Sequence, residues 1–175
     1  MSLAVRTPLS IRKSRLFVTV LAFAGNFVST SGSAAIETFI KVDGIPGDAT
    51  SVNHPNEIPI LALTEGYTVG GPARTKFDCN GLTFMKAVDR TTPKLIQALG
   101  SGQVIPNVRL SYSRPSGANQ VDYFTIQLTN ATITSLQLAG ANDHPTESVS
   151  VAAKAMLITF IPEDSSPIST SVLCP

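Results

Sequence analysis

The stretch from Phe84 to Gly102 constrains the fold more than any other part of the chain, because it holds the one helix the sequence predicts beyond residue 35. Phe84-Met85-Lys86-Ala87-Val88 reads as the end of a strand. Thr92 suits an N-cap, since its hydroxyl can accept a bond from a free amide of the first turn. Pro93 suits the first helical position, where a missing N–H costs nothing. Leu95, Ile96 and Leu99 give one apolar face at helical spacing. Gly100 can take the left-handed conformation that stops the helix.

The first 35 residues read as a leader. Arg6, Arg12, Lys13 and Arg15 form a basic region without an acidic residue. Leu16 to Val28 is mostly apolar, and small residues follow, ending in Ser33-Ala34-Ala35. That order is a secretory signal peptide, with cleavage expected between Ala35 and Ile36. The apolar run is shorter than the roughly 20 residues a membrane-spanning helix needs, so no stable anchor is expected after cleavage. From Ile36 onward nine Lys and Arg face twelve Asp and Glu, so the formal charge moves from +1 to −3. No clustered basic patch marks a nucleic-acid partner.

Cys79 and Cys174 both lie beyond the leader. In an oxidising compartment they form a candidate disulfide. Two unpaired thiols, or a bond between subunits, remain open on sequence alone, because sequence shows no distance.

The remainder reads as strands. Ile36–Val42 alternates, with Ile36, Thr38, Ile40 and Val42 on one face. Asp43 to Asp48 is dense in turn formers, and the polar stretch to Asn56 reads as an extended loop. Glu57–Gly70 reads as a strand bent near Gly66, and Thr75–Val88 as one bulged at Gly81. Asn107–Ser113 and Gln120–Thr129 alternate, the latter with Phe124, Ile126 and Leu128 together. Asn130–Leu138 continues as another strand or the far half of a bent one. Val149–Ile161 reads as one strand, with Val149, Val151, Ala153, Ala155 and Leu157 on a common side. Residues 164–175 form a Ser/Pro-rich tail expected to lack regular structure. The chain is therefore mainly β, a small β-barrel or two-sheet sandwich with one short flanking α-helix, spanning residues 36–163.

Several segments resemble the Hcp family, the tube proteins of type VI secretion, in the same order. They are Phe39-Ile40-Lys41-Val42-Asp43-Gly44, then Ile45-Pro46-Gly47-Asp48-Ala49-Thr50, then His54 with Glu57 to Leu63. Next come the Asp89-x-x-x-Pro93-Lys94-Leu95 helix start and Pro145-Thr146-Glu147-Ser148-Val149. The resemblance implies a β-barrel with one flanking helix that assembles into a homo-hexameric ring. Rings would stack into a hollow tube, with secreted protein as possible cargo. It also implies that the extended loop joins subunits and rings, which makes Ile45, Pro46, Gly47, Asp48, His54 and Asn56 candidate interface residues. The strand after His54 carries Ala62, Leu63 and Thr64, where the family usually has Ser-Trp-Gly.

No catalytic, cofactor-binding or metal-binding constellation stands out. His54 and His144 each precede Pro in a polar loop and read as solvated residues. Asp89 and Arg90 read as a helix-approach ion pair or a solvated pair. Ser101 sits between two glycines but lacks the Gly-x-Ser-x-Gly of a nucleophile elbow. Two functions follow: a structural ring-forming protein, or an exported monomeric binding module that keeps the fold. The expected location is outside the cytoplasm, periplasmic or extracellular.

Overall fold

The computed structural model describes residues 35–70, 76–116, 119–140 and 144–174, all within one unit, Ser33–Pro175. The expected leader, apart from Ala35, lies outside the described residues. Among those described, no helix is long and apolar enough to cross a membrane.

The described residues hold nine strands and one helix, in order: β1 Glu37–Val42, β2 Ile58–Pro59, β3 Ala62–Gly70, β4 Lys76–Ala87 and α1 Thr92–Ser101. Then come β5 Ile105–Ser116, β6 Asn119–Ala139, β7 Thr146–Ala152, β8 Ala155–Phe160 and β9 Ile168–Leu173. All pairings are antiparallel, in the order β2-β1-β5-β6-β7-β4-β3, with β8 against β6 and β9 against β8. The two ends of this path, β2 and β3, are consecutive in the chain. The Ile60 amide donates to Thr38 O on β1, and the Leu61 amide to Met85 O on β4, so a two-residue link joins the ends.

The long β6 serves two sheets. Its first half pairs with β5 and β8, its second half with β7. The break falls near Asn130, whose φ of 52° turns the strand. Asn tolerates that left-handed conformation better than most residues. Gly81 bends β4 in the same way, with φ of 79°. A Cβ there would stand 2.9 Å from Val151 O on β7. β3 shifts register between Glu65 and Tyr67, around Gly66.

The core gathers Ile40, Ile58, Leu82, Phe84, Leu110, Ile126, Leu128 and Val149, all fully buried. Each such side chain stabilises by about 1.5–3 kcal/mol through apolar burial. Helix α1 packs on β6 through Leu95 and Ala98.

Five expectations need correction. Thr92 is the first helical residue and Thr91 the N-cap, without a side-chain cap bond. Gly102, not Gly100, ends the helix, at φ 61°; its amide donates to Leu99 O and that of Gln103 to Ala98 O. Ile96 faces outward and Ala98 takes its place on the buried face. Val149–Ile161 is two strands: Val151 points inward on β7, then Ala153-Lys154 shifts the phase so that Met156 is buried and Leu157 exposed. The tail is not irregular. β9 pairs with β8 along its whole length, because its alternating Ile, Thr, Val and Ser residues suit an extended edge strand.

Candidate functional site

The extended loop between β1 and β2 is anchored from two directions. Its base is closed by backbone bonds: Gly47 N to Asn56 O at 2.7 Å, Asn56 N to Ala49 O at 3.0 Å, and Ala49 N to Glu57 O at 2.9 Å. At Gly47 a Cβ would overlap the Glu57 carbonyl, so only glycine allows the two loop arms to approach this closely.

The first anchor is His54, which is 4% exposed. Its ring stacks on Phe39 of β1 with centroids 4.5 Å apart. Nδ1 lies 3.0 Å from Glu57 Oε2. Nε2 lies 2.8 Å from Ser113 Oγ on β5 and 3.0 Å from Asp122 Oδ1 on β6. Ser113 in turn donates to Asp122 Oδ1 at 2.7 Å, and Arg109 approaches the other carboxylate oxygen at 3.1 Å. The sequence reading of His54 as solvated is therefore wrong. The ring fills a slot between the loop and both central strands.

Ser113, His54 and Glu57 have the connectivity of nucleophile, base and orienting carboxylate. One observation argues against catalysis at this serine. Ser113 is 0% exposed, so no substrate carbonyl reaches it. Its hydroxyl donates to Asp122 Oδ1, and the His54 ring bonded beside it ties the loop to β5 and β6.

The second anchor is the helix approach. Arg90 donates to Gly47 O and pairs with Asp48 at 2.6 Å. Asp89 binds elsewhere: its Oδ1 accepts from Lys86 Nζ at 2.8 Å, from the Thr91 amide at 2.7 Å and from the Thr91 hydroxyl at 2.6 Å. Lys86 Nζ also donates to Glu147 Oε1 at 2.8 Å and to Ala87 O at 2.7 Å. Thr92 completes the network by donating to Glu147 at 3.1 Å. Lys86 and Glu147 are both fully buried. Burial pushes the Asp89 carboxyl up, but the bonds from Lys86 and Thr91 outweigh it and hold the group below the ordinary carboxylate value. Asp89 and Arg90 thus serve two anchors, one under the helix and one under the loop.

The six candidate interface residues divide. Ile45, Gly47 and His54 are buried, while Pro46, Asp48 and Asn56 face outward. Val52 at the loop crown is 94% exposed. Between the loop and the start of β1 lies a cavity of about 850 Å³, lined in part by Ile36, Phe39, Val52, Asn53, Leu61 and Gln120. Ile36, beside the expected cleavage point after Ala35, is exposed at its rim. Cys79 on β4 and Cys174 after β9 form a disulfide, with Cα atoms 5.5 Å apart. No cluster among the described residues suits a metal ion.

Sequence reasoning missed the Lys86–Glu147 pair, although its signal was present. Lys86 shares a strand face with Leu82 and Phe84, and Glu147 shares one with Val149 and Val151. Opposite charges on two inward faces pair when the strands pair.

The described residues thus form an antiparallel β-structure with one short helix and a braced outer loop. The family model described as "Type VI secretion system effector, Hcp" matches residues 39–160. The chain belongs to the Hcp family, the tube proteins of type VI secretion. Protein hcp1 of Pseudomonas aeruginosa is 29% identical over 138 residues, covering 74% of this chain and 85% of that one. A type VI secretion system effector from Yersinia pestis superposes with a TM-score of 0.68 at 28% identity, covering 78% of this chain and 98% of the other. Hcp1 from Salmonella typhimurium gives 0.70 at 23% identity, covering 79% and 95%, a likeness of fold. Hcp proteins of type VI secretion are secreted, so the chain is an exported one.

Proposed function

We propose that this protein assembles into a homo-hexameric ring, that such rings stack into a tube, and that the tube carries secreted protein cargo. The observation that carries this reading is the family match, which runs from Phe39 in β1 through the end of β8 and takes in the whole extended loop. A braced loop with an exposed crown suits a surface that docks on a neighbour, because little ordering entropy is lost on binding. Pro46, Asp48, Asn56 and Val52 are the loop residues open to another copy. A head-to-tail contact of this kind is heterologous and closes into a ring when its rotation allows. The basic-then-apolar start directs the chain across the inner membrane, to the periplasm or beyond. The protein acts without catalysis, cofactor or nucleic acid.

Light scattering on residues 36–175 tests the ring. A mass six times that of the monomer supports it, and electron microscopy then shows whether rings stack. A monomer at high concentration removes the ring. It favours a second reading, an exported binding module that keeps the fold. That reading is motivated by β9 and Cys174, which lie beyond the matched residues.

A further inference from the structure

We propose that the Cys79–Cys174 bridge is a redox latch that decides whether strand β9 belongs to the fold. The inference does not depend on ring assembly.

β9 is an edge strand bonded on one side only, to β8. None of its side chains from Ile168 to Leu173 is buried; Val172 alone is half-covered, and Ile168 and Leu173 are among the most exposed apolar residues. Its other side-chain tie is a hydroxyl contact between Ser169 and Thr159 at the surface. A strand without a buried face contributes almost nothing through the hydrophobic effect, and a lone hairpin is marginal in water. The buried group of this tail is Cys174, which belongs to the core cluster and is bonded near the start of β4. Its sulfur is bonded to Cys79, and its amide donates to Lys154 O at 2.9 Å. The covalent bond therefore supplies what the side chains do not.

The bridge is also approachable. A cavity of about 390 Å³ opens beside it, lined by Val104, Asn130, Thr132, Ala153, Lys154 and Cys174. A dithiol reductant entering there attacks the Cys174 sulfur as thiolate. The S–S bond breaks, a mixed disulfide forms on Cys174, and the Cys79 sulfur leaves and takes a proton. The second thiol of the reductant then displaces Cys174, which is protonated in turn. Two electrons and two protons pass to the protein, and the reductant departs as its own disulfide. Reoxidation by a disulfide-bearing oxidant reverses each step. Released, β9 uncovers the outer edge of β8, whose amides and carbonyls become free to pair with another strand.

Hydrogen exchange read by mass spectrometry tests the latch on the purified chain, oxidised and after dithiothreitol. Alkylation confirms that both thiols are free. The expected result is exchange in Ile168–Leu173 at least roughly tenfold faster after reduction, with β5, β6 and β7 unchanged. The Cys174→Ser variant is expected to exchange fast at β9 without reductant and to be indifferent to it. Three results overturn the proposal: unchanged protection of β9 after both thiols are freed, loss of protection across all strands together, or a bridge that resists reduction until the chain unfolds.

Discussion

At the residue scale, the fold depends on a buried ionic network that the sequence marks faintly. Lys86 is the shared partner of Glu147 and Asp89. Lys86→Ala leaves the buried Glu147 carboxyl without its ionic partner, and breaking such a pair costs about 3–5 kcal/mol. Replacing both, as Lys86→Met with Glu147→Leu, is expected to recover part of that loss, because apolar residues of similar volume pack in the same space while Asp89 still loses its bond from Lys86. Urea unfolding of the three chains checks this; a double variant no better than the single one removes the argument. Asp89 adds a pH dependence. Its folded value lies below its unfolded one. Its contribution is thus present above the unfolded value and lost as pH falls through the folded one. Relative to Asp89→Asn, the wild type is expected to lose stability below about pH 4 and to keep its advantage at neutral pH. Thermal melts at pH 3 and pH 7 read the difference. His54 could not be placed from sequence in this way. Its partners Ser113 and Asp122 come from strands more than fifty residues away. Only Glu57, three residues on, was a local hint.

At the element scale, strand punctuation was legible where a backbone conformation demanded a particular residue. Gly81 was readable as a bulge because a left-handed φ is cheap only for glycine. Gly81→Ala must both adopt that φ and push against Val151 O, so it is expected to destabilise by roughly 1–3 kcal/mol. A denaturation midpoint that does not move would refute that account. The helix was legible in existence and type but not in its last two residues, because either Gly100 or Gly102 can provide the stop. Choosing between them needed the Schellman bonds to Ala98 and Leu99. The break at Ala153-Lys154 was hidden for a different reason. An alternating run can flip its inward face without any Gly or Pro to mark the place. Here the flip lets β7 pair with β4 and β8 with the first half of β6.

At the scale of the whole molecule, the disulfide closes a separation of 95 residues. Chain-entropy reasoning values so long a loop at about 4.7 kcal/mol. Reduction is therefore expected to lower the unfolding free energy by up to that amount while leaving β1 to β8 folded, and guanidinium titrations with and without reductant measure it. The sequence alone determined the mainly β class, the helix that follows β4, the position of the outer loop and the kinship with Hcp. Each of these rests on local rules: alternation, caps, turn residues and motif order. Tertiary structure alone decided that Lys86 meets Glu147, that His54 sits between two carboxylates, that the tail forms a ninth strand, and that the ends of the sheet meet through Ile60-Leu61. Those outcomes depend on which distant segments lie side by side. A polar side chain becomes an anchor rather than a solvated group only when such neighbours exclude water and supply its partners.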